Sequence, residues 1–165
     1  MTMKDKQKGG VLIVSMIMLL LLTLLAISSM NTTIMEEKIT SNYKDKNTAF
    51  QAAEAALRDG ETYLRDTTPL PIFTGENGLY QPTNTGAPRW NLVVWSVAAQ
   101  RRSYAGLAGV VDQPNYIIEE LLPILNPNGT AEVGVELENQ FYRVTAQAVG
   151  ASETAVVMLQ SVYKR

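Results

Sequence analysis

The chain has 165 residues, with 14 basic and 16 acidic side chains, no cysteine and no histidine. That length holds one ordinary domain. The missing cysteines exclude a disulfide framework and any thiolate metal site, and the missing histidines remove the usual neutral-pH general base and the commonest metal ligand. A net charge of -2 with well-mixed signs offers no basic footprint for nucleic acid. Composition therefore points away from an enzyme, a cofactor, a metal centre and a nucleic-acid partner.

Lys4, Lys6 and Lys8 lead into Gly9-Gly10, after which no charge appears until Glu36. From Val11 to Met30 the only polar residues are Ser15, Thr23, Ser28 and Ser29. A helix of that length spans roughly 30 Å, the thickness of a bilayer's hydrocarbon core. A cleavable secretory signal has a shorter apolar region and a small-residue exit site, and neither fits here. The run is predicted to insert in a membrane. By the positive-inside rule its N-terminus stays cytoplasmic and the rest of the chain is exported. The residues alone leave Gly9-Gly10 open between a flexible, non-helical boundary and a side-chain-free site that a peptidase can grip.

The helical pattern continues through residues 31–65 without a proline and with one glycine, Gly60. Phe50, Ala53, Leu57 and Leu64 fall on one stripe, which Ala49, Ala52 and Ala56 widen with small side chains. Lys44, Asp45, Lys46, Arg58 and Asp59 occupy the opposite face. The β-branched Thr32, Thr33 and Ile34 after Ser28-Ser29 weaken the helix locally, which marks a candidate bend. Pro69 and Pro71 end the helix. A continuous helix from about residue 11 to about residue 65 is roughly 80 Å long, so its apolar half needs lipid or the same helix of other subunits.

Residues 67–90 are rich in Pro, Gly, Thr and Asn and read as a long irregular surface loop, and 66–113 is the possible interaction loop. Arg89, Trp90, Trp95, Arg101 and Arg102, with Tyr80 and Tyr104, give it the residue types of an interaction surface. Residues 91–98 and 116–122 are candidate strands or short helices, with the former the more convincing strand. In residues 141–150, Tyr142, Val144, Ala146 and Ala148 alternate against Arg143, Thr145 and Gln147. Residues 154–163 alternate similarly, and Gly150-Ala151-Ser152-Glu153 reads as the turn of a hairpin. Glu36-Glu37 and Glu119-Glu120 are adjacent carboxylates whose side chains diverge, so they read as solvated charge. The predicted fold is α+β: a long N-terminal helix packed on a small antiparallel sheet.

These stretches together resemble type IV pilin precursors, and most closely the minor pilins of the PilX family. QKGGVLIV resembles the family's basic leader ending in glycine. Residues 27–61, 114–123 and 142–165 resemble its N-terminal and C-terminal patterns, while 66–113 matches neither. The resemblance implies four regions: a leader, 1–9, removed by prepilin peptidase; a transmembrane and filament-core helix, 10–30; an amphipathic continuation, 31–65; and a periplasmic, then surface, head, 66–165. Cleavage after Gly9 would leave Gly10 as an N-methylated terminus, and cleavage after Gly10 is the other register. Pilins generally carry a glutamate at the fifth mature position, paired with a neighbour's terminal amine. Here that position is Val14, or Ser15 in the second register. A carboxylate in lipid is costly unless it is paired, and a subunit at a filament tip has no neighbour to pair with.

The implied function is therefore a minor pilin that primes assembly in a tip complex. Its implied partners are other minor pilins, the major pilin, the prepilin peptidase, the inner-membrane assembly platform and, before assembly, the bilayer. The alternatives are an adhesive head acting through 66–113 and a tip pseudopilin of type II secretion. No cofactor and no metal are expected.

Overall fold

A computed structural model describes residues 10–83, 86–122 and 140–165. The chain divides into two compact units, Met1–Asn42 and Tyr43–Arg165. Helix α1, Gly10–Asp66, contributes to both. Gly10 is its first residue, so this glycine is helical and forms no hinge. The helix is also unbroken through residues 28–34, where a bend was expected. There Thr32 Oγ1 donates to Ser28 O and Thr33 Oγ1 to Ser29 O, both at 3.2 Å, so the hydroxyls bond within the helix.

The second unit contains a sheet of five strands: β1 Leu79–Tyr80, β2 Arg102–Ser103, β3 Asn115–Glu120, β4 Phe141–Val149 and β5 Val156–Lys164. Strands β3, β4 and β5 are antiparallel neighbours, and β4 and β5 form the expected hairpin. Two short strands pair with β3 at different positions. β1 runs parallel to it at Ile118 and Glu119, and β2 runs antiparallel at Tyr116 and Asn115. Residues 91–98 are not a strand: α2, Arg89–Leu92, precedes an irregular turn and a 3-10 helix, Ala98–Gln100. The alternation there serves half-burial of a loop, whereas the strand in this region is β3.

The pleat divides the sheet's side chains between two faces. One face turns Tyr116, Ile118, Tyr142, Val144 and Ala146 toward α1, where they form the main core with Ala56, Leu64, Phe73 and Leu79. Ala52 and Ala53 pack on Ala148 farther along the same seam. The opposite face places Ile117 beside Tyr80 and Val93, with Trp90 and Trp95 partly buried over them. Tyr80, Trp90, Val93 and Trp95 thus cover the back of the sheet at Ile117, while Phe73 and Leu79 of the same segment join the front core.

Small residues let α1 lie close to the sheet. Ala49, Ala52, Ala53, Ala56, Gly60 and Leu64 are its buried positions. A Cβ placed on Gly60 would come 2.6 Å from Val144 Cγ1 and 3.1 Å from the Tyr116 ring, so glycine is required by close approach.

Candidate functional site

The apolar half of α1 is the first candidate surface. Val11, Leu12, Ile13 and Val14 are all exposed, as are the large apolar residues that follow up to Met30. Its two mid-run hydroxyls are internally satisfied: Ser15 Oγ donates to Leu12 O at 2.9 Å and Thr23 Oγ1 to Leu20 O at 2.8 Å. Self-satisfied polar groups on an apolar helix suit a medium without water. Among the described residues α1 is the one helix long and apolar enough to cross a membrane, which fits a membrane anchor. Val14, 59 % exposed, carries no ionisable group, and neither does Ser15. Gly9 lies outside the described residues.

The seam between α1 and the sheet is the second. Ala53 and Leu64 are fully buried and Leu57 is partly buried, whereas Phe50 is 46 % exposed. At about 100° per residue, Phe50 lies roughly 110° from the centre of the buried alanine face. The large side chain misled the sequence reading, because the contact belongs to the small residues beside it.

Polar contacts fasten the same seam at three levels. Near its start, Asp45 Oδ1 accepts from Ala151 N at 2.5 Å and Ser152 N at 3.2 Å, and Oδ2 accepts from Ser152 Oγ. The Ser152 hydroxyl and the two amides hold the Asp45 carboxyl below its ordinary pKa. Midway, Arg102 Nε donates to the Tyr116 hydroxyl at 3.3 Å, and the Arg102 guanidinium lies 4.1 Å from the centre of the Tyr63 ring. Burial pushes the Tyr116 phenol up to about 12; Arg102 opposes that rise and Asp59 adds to it. Ser161 Oγ also donates to Glu61 at 2.7 Å. Asp45 belongs not to the opposite face but to the stripe of Ala49, Ala52 and Ala56, four, seven and eleven residues on; helical spacing thus places it at the seam, and the fold supplies residues 151 and 152. Gly60, a lone glycine inside a helical pattern, was the legible hint of close packing.

The aromatic and cationic residues singled out in 66–113 do not form one patch. Trp95 Nε1 donates to Trp90 O at 3.2 Å, and both rings lie against the back-face cluster. Arg101 faces Asp112 at 3.7 Å, and Arg102 braces Tyr116 and Tyr63. Tyr104 is half-buried beside the main core. Arg89 stands apart from these, with its guanidinium 5.1 Å from the centre of the Tyr80 ring and Nη2 donating to Gln81 O at 3.1 Å.

The adjacent carboxylates also separate. Glu119 is 4 % exposed and lies 3.5 Å from Arg143, its direct cross-strand partner, so it is a buried paired charge and not a solvated one. Glu120 points to the other face, as alternation demands. Among the described residues no group of three acidic side chains converges as a metal site would require.

Comparison with known proteins adds the family. A family model described as PilX N-terminal matches residues 8–58, and one described as type IV pilus assembly protein PilX C-term matches residues 41–165. Searches of curated proteins and of solved structures return no significant match. The second family match alone spans more than half the chain and runs through the sheet, while the first includes the apolar helix. The chain belongs to the PilX family of type IV pilus minor pilins.

Proposed function

We propose that this minor pilin primes pilus assembly as part of a tip or initiation complex. The observation that carries the reading is the apolar Val14 at the fifth position of a chain beginning at Gly10. A carboxylate there would need a neighbour's amine to offset its burial in lipid, and a first subunit has no such neighbour. The exposed apolar side chains of α1 up to Met30 support the same reading, since they require lipid before assembly and other pilin helices afterwards.

In this scheme prepilin peptidase removes residues 1–9 and Gly10 becomes the N-methylated terminus. The N-terminal end faces the cytoplasm and the head faces the periplasm. The assembly platform then extracts the subunit, which bundles with other minor pilins and the major pilin and reaches the surface at the filament tip. The role is structural, with no catalysis and no cofactor. The adhesive alternative has less support, because Trp90 and Trp95 are engaged on the back of the sheet.

The test is filament number. Cells lacking this chain should show far fewer surface filaments, and re-expression should restore them. Normal numbers in the deletion strain would remove the priming role while leaving family membership intact.

A further inference from the structure

An open cleft of about 440 Å³ lies on the head, lined by residues 72–75 with Tyr80, Gln81 and Arg89. Three properties of its walls define a ligand. The first is an unused cation. Arg58, Arg65, Arg101 and Arg143 each have a carboxylate within 4 Å, whereas Arg89, like Arg102 and Arg165, has none among the described residues. Its Nε is buried without an acceptor, while the Tyr80 ring and Gln81 O fix the plane of the guanidinium. A guanidinium held in plane in this way offers its remaining Nη hydrogens to a carboxylate in fixed directions.

The second is an apolar wall, including Ile72, which is 83 % exposed. The third is free main chain. Among the described residues, the backbone from Ile72 to Thr74, which lines the cleft, makes no hydrogen bond to other main chain. Among the described residues, no acidic side chain lines the cleft to compete for Arg89.

We propose that this cleft binds an acidic peptide segment of another protein, with Arg89 taking a glutamate or aspartate carboxylate. The Ile72–Thr74 backbone pairs with the peptide main chain, and Ile72 packs on the apolar residue beside the acid. A small anion would use the guanidinium alone; a peptide uses all three features. The site does not depend on a tip position, because none of its residues belongs to the apolar helix.

The test is an NMR titration of the ¹⁵N-labelled full chain in detergent micelles. The probes are N-acetyl-Leu-Glu-Leu-amide, its Gln counterpart and inorganic phosphate. The Glu peptide should produce saturable shifts at Arg89 Nε–H, Gly75 and Gln81, with affinity about tenfold above the Gln peptide. Arg89→Gln should abolish that preference, and Ile72→Ser should weaken both peptides. If Arg89→Gln loses the native spectrum, the wild-type comparison decides alone. Equal response to Glu and Gln peptides, no saturable shift with either, or an equal response to phosphate overturns the proposal.

Discussion

Replacing Gly60 with alanine sets helix propensity against packing at one atom. In an isolated helix the change would stabilise by about 1 kcal/mol. Here the new methyl would lie 2.6 Å from Val144 Cγ1 and 3.1 Å from the Tyr116 ring, against a comfortable carbon–carbon separation of about 3.5–4.0 Å. Relief requires a separation of roughly 1 Å, or a different rotamer for Val144, a stiff β-branched residue with no exposed surface. Overpacking of this kind costs about 1–3 kcal/mol. The upper half of that range applies, because Tyr116 blocks the same path. Gly60→Ala should therefore destabilise the head by about 1–2 kcal/mol net. The assay is urea unfolding of the micelle-bound full chain, followed by the fluorescence of Trp90 and Trp95. Val144→Ala alone should cost about 2 kcal/mol through lost burial and a cavity. The double variant should fall short of the sum by about 1 kcal/mol, because the methyl added at position 60 occupies the vacated space. Stabilisation by Gly60→Ala, or strict additivity in the cycle, would refute the close-approach argument.

Asp45→Asn should release the β4–β5 turn, which faster hydrogen exchange at the Ala151 and Ser152 amides would report. Because the folded carboxyl titrates below its ordinary value, its contribution is present above that value and fades as pH falls through the folded pKa. Acid titration of the wild type should therefore reproduce the variant's exchange, and Asp45→Asn should lose the dependence. Tyr116 gives the opposite sign. Its phenol is raised, so the folded state loses stability as pH climbs from the ordinary value near 10 to about 12. Burial raises Tyr80 and Tyr142 as well, so ultraviolet titration should find several late tyrosinates, and Tyr116→Phe should remove the one near 12. Val14→Glu places a carboxyl in the apolar run at a cost of about 3 kcal/mol on insertion scales. It should lower filament number while Val14→Leu does not, and unchanged counts with Val14→Glu would contradict the role given to that position.

The helix and hairpin were legible because their signals are periodic and local. Tyr142, Val144, Ala146 and Ala148 alternate without interruption, and all four are buried. The alanine positions of α1 repeat at helical spacing in the same way. What local pattern does not encode is the partner. Phe50 shares a helical face with Leu57 and Leu64, yet the sheet approaches the alanines because only small side chains admit it so closely. Asp45 reaches residues 151 and 152, more than a hundred positions away, and Glu119 meets Arg143 through strand register. The reading of 91–98 as a strand failed for a related reason. Val93, Trp90 and Trp95 supply apolar cover for the back of the sheet, so their pattern records half-burial and not extension. The candidate site divided along the same line. Residue type alone marks Arg89, but its place beside a cleft, held by Tyr80 and Gln81 O, depends on tertiary packing.

The intact mass and N-terminal residue of the mature protein, taken from envelopes of cells with an active prepilin peptidase, test the central claim most directly. A chain beginning at N-methylated Gly10, with residues 1–9 gone and the apolar run retained, is the predicted result. A chain that keeps those nine residues, or loses the apolar run as a secretory signal, would contradict the account of a processed pilin anchored by its own filament helix.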